Sequence, residues 1–236
     1  MAILELHDVT SGYGEVQILW GVSISLQKGS MTSLVGANGA GKTTLLRTIM
    51  GLNKAWSGQI LFEGKDIHRL APHSRAAQGL VLVPEGRQLF THMTVEENLL
   101  MGASPKRARA DIDRNLELVY EMFPRLKDRR NQKAGTMSGG EQQMLAVARG
   151  IMASPKVLMI DELSLGLAPF LVLQLFESLK KLRETGITVL LVEQNVQMAL
   201  AVTDYAYVLA EGKIEIEGPS KVVASNPEVK KAYLGL

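Results

Sequence analysis

The chain has no cysteine in 236 residues, which excludes disulfides, cysteine-ligated zinc and thiol catalysis. It also lacks charge of one sign. Its 26 Lys and Arg against 24 Asp and Glu leave only +2, with no basic block of five or more. Neither a phosphate backbone nor an anionic membrane is indicated as a direct partner. Long hydrophobic runs are missing too: Gly79–Val83 and Ile187–Val192 fall far short of the ~18–20 residues of a spanning helix. The first residues, Met1-Ala2-Ile3-Leu4-Glu5-Leu6-His7-Asp8, have no basic region ahead of an apolar one, so no signal peptide is expected. His7, His68, His73 and His92 lack the spacing of a metal site. No repeat or low-complexity tract is visible. What remains is a globular composition, 46% hydrophobic and 21% charged, at a length that allows one large domain or two small ones.

The apolar pattern changes texture along the chain. Ile3–Val9, Gln17–Leu26 and Met31–Val35 read as strands, punctuated by Ser11-Gly12-Tyr13-Gly14 and Lys28-Gly29. A glycine loop and a helix over Lys42–Met50 follow, then strands at Gln59–Phe62 and Leu80–Val83. From about Glu85 to Gly135 the chain turns charged and helical, with helices at Thr94–Met101 and Asp111–Met122 and breaks at Pro105 and Pro124. From Ser138 onward helices (Gly140–Met152, Pro169–Glu184) alternate with fully apolar strands (Lys156–Ile160, Thr188–Val192). A hairpin, Tyr205–Ala210 and Lys213–Glu217, and one or two short helices close the chain. Helices alternating with apolar strands predict an α/β fold whose mostly parallel sheet is covered on both faces.

Three motifs carry chemistry. Gly36-Ala37-Asn38-Gly39-Ala40-Gly41-Lys42-Thr43 fits G-x-x-x-x-G-K-[ST] between an apolar strand and a helix. Its glycines let backbone N–H groups converge on phosphate oxygens at a helix N-terminus. Asn38, Gly39, Ala40, Gly41, Lys42, Thr43 and Thr44 are the expected nucleotide contacts. Lys42 would neutralise the β- and γ-phosphates, and the Thr43 hydroxyl would hold Mg²⁺. Lys156–Glu162 is an apolar strand ending in adjacent carboxylates, Asp161 for Mg²⁺ and Glu162 to polarise the attacking water. Taken singly, it is also how a strand ending in solvated acids reads. Ser138-Gly139-Gly140 opens a helix as a second anion nest, or as no more than an N-cap.

The phosphate loop, Ser138-Gly139-Gly140-Glu141-Gln142-Gln143 and the strand ending in Asp161-Glu162 together resemble the ATP-binding subunit of ATP-binding-cassette transporters, from Leu4 to Leu236. Val83-Pro84-Glu85-Gly86-Arg87, Met93–Leu99, Ser164–Pro169, Val192-Glu193-Gln194-Asn195 and the ending Ala232–Leu236 narrow the likeness to an ATPase of bacterial branched-chain amino-acid importers. Importers of urea and short amides share much of this pattern. The resemblance implies one cassette over 1–236. Its fold is that of a P-loop NTPase, a RecA-like mostly parallel sheet flanked by helices, with an N-terminal antiparallel β lobe and a helical subdomain at 85–135. It gives Tyr13 the role of stacking on adenine, though the residue also reads as a surface turn tyrosine, and puts Val16 in the same base pocket. Ser138, Gly139 and Gly140 would grip the γ-phosphate across a head-to-tail dimer with a second ATPase subunit, homologous or identical. Ser164–Ala168 would carry contacts between the two sites. Two transmembrane permease subunits would hold the dimer on the cytoplasmic face of the inner membrane, served indirectly by a periplasmic solute-binding protein. No nucleic acid is implied.

Two residues depart from the wider superfamily pattern. Glu85 stands where glutamine is usual and Gln194 where histidine is usual. Glu85 can still ligate Mg²⁺ but repels phosphate, and Gln194 keeps a donor and an acceptor but carries no positive charge. Both are expected at the catalytic centre with Glu162, and both motivate the expectation of two unequal composite sites. Leu163 replaces a usual proline, for which only a local backbone effect is expected. Phe90, Met93, Leu99, Leu100 and Met101 are candidates for the groove that receives the permease, each also readable as core. A small-molecule kinase, or a cassette of DNA repair or translation, is the alternative of another class.

Overall fold

The computed structural model describes residues 1–234; Gly235 and Leu236 of the closing motif lie outside the described residues. Alternating side chains in the first 27 residues produce two long antiparallel strands, β1 (Ala2–Tyr13) and β2 (Val16–Gln27). The sequence predicts a break at Ser11, yet β1 runs on to Tyr13 because register shifts absorb the irregularity. Gly12 permits this, since a Cβ there would collide with the Val16 carbonyl and press on Trp56. With β4 (Ala55–Phe62) and β5 (Lys65–Asp66) these strands form an antiparallel sheet in the order β2-β1-β4-β5.

The second sheet takes the order β10-β9-β3-β8-β7-β6, built from β3 (Met31–Val35), β6 (Leu80–Val83), β7 (Val157–Asp161), β8 (Thr188–Glu193), β9 (Tyr205–Ala210) and β10 (Lys213–Pro219). Every pairing in it is parallel except β9 with β10. All residues of β3, β7 and β8 are buried, which is why these runs are apolar without alternation. One core lies between this sheet and the β lobe with α1 (Lys42–Met50) and α2 (Pro72–Gln78). The other lies under the remaining helices, chiefly α7 (Gly139–Met152) and α8 (Pro169–Glu184).

The register explains the site. Val35 opposes Glu193, Val192 opposes Asp161, and Ile160 opposes Val83. The carboxyl ends of β3, β8, β7 and β6 therefore finish side by side, where ligands bind in open α/β sheets. From that edge run the glycine loop, Gln194, Glu162 and Glu85.

Between β6 and α7 lie α3 (Val95–Gly102), α4 (Lys106–Arg109), α5 (Ile112–Met122) and α6 (Pro124–Asp128). Thr94 and Glu97 cap α3 reciprocally, which places the helix start one residue after the predicted one. Buried Asn98 bonds the backbone of Phe90 and Thr94 and so fixes the preceding loop. After β8 come α9 (Val196–Val202), α10 (Ser220–Ser225), α11 (Pro227–Val229) and a wide helical turn at Lys230–Leu234.

The short helices α2 and α9 are not legible as periodic segments. α2 exists to deliver Arg75, which is 3% exposed. Its guanidinium donates to the carbonyls of Thr48 (3.0 Å), Ile49 (2.7 Å), Leu70 (3.0 Å) and His68 (2.8 Å). The cation thus satisfies the C-terminal carbonyls of α1 and complements its dipole. Replacing Arg75 by Met should cost about 2–4 kcal/mol in urea unfolding, because buried carbonyls lose charge-assisted bonds. An unchanged midpoint would show that water satisfies them as well.

Candidate functional site

The strand edge encloses a cavity of about 420 Å³ lined by Ile18, Asn38, Gly39, Gly41, Lys42, Thr43, Thr44, Glu85, Glu162, Leu165 and Gln194. Gly39 (φ +81°) and Gly41 (φ +107°) hold left-handed conformations that L side chains rarely adopt, and Gly41 starts α1 directly. Backbone N–H groups at a helix N-terminus facing a polar cavity make a cradle for phosphate.

Lys42 is 5% exposed and fully engaged. Its ammonium donates to the carbonyls of Gly36 (2.9 Å) and Ala37 (3.2 Å) and pairs with Glu162 Oε1 at 3.3 Å. Thr43 Oγ1 donates to Asp161 Oδ2 at 2.9 Å, across two elements far apart in sequence. The other oxygen, Asp161 Oδ1, is buried and has no hydrogen-bond partner. An orphaned carboxylate oxygen beside a hydroxyl fits a hard divalent cation such as Mg²⁺, with Glu85 in the cavity lining as a further oxygen donor. Among the described residues no group of three or more His, Cys, Asp or Glu could hold a metal on its own. Phosphate oxygens would have to complete the shell.

Burial raises the Asp161 carboxyl to about 6, against the bond from Thr43; Glu162 and Glu85 add to the rise and Lys42 opposes it. Glu162 sits in the left-handed region (φ +52°), an uncommon conformation for a residue with a side chain. Its N–H donates to Val192 O at 2.9 Å, which fixes the turn to the neighbouring strand. Leu163 is fully buried in the core below, so its effect is packing and not merely the backbone freedom expected from the sequence.

Tyr13 and Val16 do not line this cavity; Ile18 does, from the same β2 edge. The two are register partners at the ends of β1 and β2, 45% and 63% exposed, and Tyr13 Oη accepts a 3.5 Å bond from Thr44. Ala40 is buried beneath the loop. Ser138, Gly139 and Gly140 stand apart from the cavity. Ser138 caps α7 reciprocally with Glu141, its hydroxyl donating to Glu141 Oε2 at 2.8 Å. Arg129 pairs with Glu141 Oε1 at 3.0 Å. Gly140 has no room for a Cβ, which would strike Leu171.

Two features were not assigned from the sequence. Glu193 is 0% exposed; its carboxylate accepts from Ser164 N (2.9 Å) and Ser164 Oγ (2.6 Å), and burial lifts it to about 7 despite those bonds. The signal was an acid closing an otherwise apolar strand. The second feature is Arg149, in a groove of about 820 Å³ that runs from Leu52 and the expected candidates Phe90 and Met101 to Thr43, Glu85 and Asp161. Arg149 lines it, donates to the carbonyls of Gln88 (2.8 Å) and Arg87 (3.2 Å), and covers the Phe90 ring at 5.5 Å. Leu99, expected as a groove candidate, is 0% exposed and belongs to the core. Leu100 is exposed without lining the groove, and Met93 is half-buried off it.

Both raised carboxyls destabilise the fold as they ionise. Their stability contribution is full below their ordinary values of 3.8 and 4.5 and is lost as pH rises through about 6 and about 7. Replacing Glu193 by Gln should therefore flatten the decline of unfolding free energy between about pH 4.5 and 7. A parental pH dependence in that variant would contradict the ascribed shift.

Against known proteins, the sequence model of the ABC transporter family matches residues 19–164. The chain is 47% identical to the high-affinity branched-chain amino acid transport ATP-binding protein BraG of Pseudomonas aeruginosa, over 99% of this chain and 100% of that protein. It is 38% identical to a probable branched-chain amino acid transport ATP-binding protein LivF of Archaeoglobus fulgidus, over 99% of both. It is 32% identical to the lipopolysaccharide export system ATP-binding protein LptB of Haemophilus influenzae, over 100% of this chain and 98% of that one. The crystal structure of a nucleotide-free ATP-binding cassette from an ABC transporter superposes with a TM-score of 0.85 at 33% identity, covering 97% of each chain. A second cassette in its ADP conformation superposes with a TM-score of 0.85 at 32% identity, over the whole of both chains.

Proposed function

The chain belongs to the ABC transporter family of ATP-binding subunits, and from that premise we propose that it powers an importer of branched-chain amino acids. Its fold is the ABC ATPase cassette and its reaction is ATP hydrolysis. The observation that carries the mechanism is the convergence, in one cavity, of the glycine cradle, Lys42 and Glu162 at 3.3 Å, and Thr43 on Asp161 at 2.9 Å.

In this reading Asn38 to Thr44 wrap the phosphates, and Lys42 exchanges its carbonyl partners for β- and γ-phosphate oxygens. Thr43, Asp161 and Glu85 would hold Mg²⁺, which when bound neutralises phosphate charge. Glu162 takes the proton of the attacking water as oxygen bonds to the γ-phosphorus. The bond from that phosphorus to the bridging oxygen breaks, leaving ADP and inorganic phosphate. Gln194 offers an amide donor to the γ-phosphate or the water. Tyr13, with Val16 beside it, presents an exposed ring outside the phosphate cavity, on the side where adenine would extend.

Ser138, Gly139 and Gly140 are assigned to the nucleotide of a second cassette in a head-to-tail dimer, a reading supported by their distance from this chain's own cavity. Binding ATP between two subunits makes nucleotide a differential contact, as a switch requires. The groove ending in Phe90 and Met101 suits an apolar helix of a permease subunit, and 85–135 is the subdomain that presents it. No described helix is long and apolar enough to cross a membrane. In this reading two permease subunits hold the cassette at the cytoplasmic face. A periplasmic binding protein would select the solute. Glu85 and Gln194 support unequal composite sites if the partner cassette carries other residues there.

Export is the second reading, favoured by the likeness to LptB. Cells lacking the chain should lose uptake of labelled leucine, isoleucine and valine and regain it on complementation; intact uptake would sink the importer reading. Glu162→Gln should keep nucleotide affinity and lower kcat about a hundredfold or more, whereas Lys42→Ala should weaken nucleotide binding itself. Hydrolysis at the parental rate by Glu162→Gln would remove Glu162 as the base.

A further inference from the structure

The turn that carries Glu162 is tied to the next strand at three points. Glu162 N donates to Val192 O (2.9 Å), Ser164 N to Glu193 Oε1 (2.9 Å), and Ser164 Oγ to Glu193 Oε2 (2.6 Å). Both carboxylate oxygens of Glu193 thus accept from Ser164, two positions beyond Glu162. Leu163, between them, is sealed in the core. Glu193 itself is followed directly by Gln194, which lines the cavity with Glu162 and Leu165.

We propose that Glu193 is a positioning residue for hydrolysis, clamping Ser164 so that Glu162 and Gln194 keep one fixed relation across β7 and β8. The inference rests on the reading of Glu162 as the base and says what holds that base. Two physical arguments carry it. A left-handed residue with a side chain persists only when its surroundings over-determine it, and the two bonds to Ser164 supply that constraint beyond the single bond at Glu162 N. A fully buried carboxylate is also a costly way to fill space, since an apolar side chain of similar volume is as stable or more so. What the carboxylate offers and an apolar group does not is two directed acceptors, one for the N–H and one for the hydroxyl. The phosphate cradle hangs on β3 and α1, so loosening the clamp disturbs the chemical step and leaves nucleotide binding in place.

Steady-state ATPase kinetics, affinity for a fluorescent ATP analogue and thermal melting of the full-length chain test this. Glu193→Ala should lower kcat about tenfold to a hundredfold, as expected for a displaced reacting group, while KM and nucleotide affinity move less than about threefold. Glu193→Gln should recover most of the rate, because its amide oxygen still accepts from Ser164 N and its amide N–H can donate to Ser164 Oγ. Ser164→Ala, with one bond gone, should fall between, and the double variant Glu193→Ala with Ser164→Ala should be no slower than Glu193→Ala alone. The proposal is overturned by a parental kcat in Glu193→Ala, by kcat and nucleotide affinity falling together, or by Glu193→Gln being as slow as the alanine variant. If Glu193→Ala melts before it can be assayed, Ser164→Ala decides, and a parental kcat there overturns the clamp. A parental rate in Glu162→Gln is the separate outcome that removes the base itself.

Discussion

Parallel pairing of β3, β8, β7 and β6 brings residues 36–43, 193–194, 161–162 and 85 to one edge, although they are spread over more than half the chain. Each strand contributes little by itself. The phosphate loop is a turn, the Asp-Glu pair a strand end, and Gln194 a polar residue before a short helix. What makes them one site is register, since sliding β7 against β8 by one residue would turn Asp161 out of line with Thr43. Register is specified because both faces of these strands are buried, so a slip would expose or bury the wrong side chains throughout the two cores. The same logic explains why the structure spends a buried guanidinium, Arg75, on the far end of α1. A helix that begins at the phosphate loop can hold its first residues still only if its last turn is fixed as well.

Electrostatics at this edge are crowded with negative charge. Asp161, Glu162, Glu193 and Glu85 gather here, and Lys42 pairs with Glu162. A triphosphate arriving alone would add repulsion to carboxyls of which Asp161 and Glu193 are already raised, chiefly by burial. Accompanied by a divalent cation, it would meet the unpaired Asp161 Oδ1 and the Thr43 hydroxyl as ligands instead. On charge alone, a triphosphate would enter such a site more readily with a divalent cation than without one.

How much of this could be read from the sequence depended on the distance over which each residue finds its partner. The phosphate loop, α1, α8 and the buried strands were legible because spacing and apolar runs are local signals, and their limits agree with the structure within a few residues. The β lobe was legible in outline, but the continuation of β1 through Gly12 depends also on Trp56, which no window around Gly12 contains. Ile18 lines the cavity and Val16 does not, because strand bulges decide which side chain turns inward. Leu99 and Met101 look alike in the sequence and separate into core and groove only once α3 packs on α7. Glu193, Arg75 and Arg149 were silent for a common reason: each is defined by bonds to backbone atoms or hydroxyls dozens of positions away.

Those silent residues connect surfaces that the motifs leave separate. Arg149 comes from α7, the helix whose N-terminus is Ser138-Gly139-Gly140, and it grips the carbonyls of Arg87 and Gln88. Arg87 in turn bonds Gln142 at 2.9 Å on the same helix. Arg87 (φ +65°) and Gln88 (φ +46°) are both left-handed, so the turn that bears Glu85 is held in shape from α7 as well as by its own bond from Gln88 N to Gly86 O. The floor of the same groove is Thr43, Glu85 and Asp161, and its rim includes Phe90 beneath the Arg149 guanidinium. The rim is thus bonded to the turn after Glu85 through Arg149, from the last turn of α7, and that turn to the start of α7 through Arg87. Packed helices and fixed carbonyls move as units, and here the groove, the cavity and the Ser138 nest are joined by a short run of named bonds.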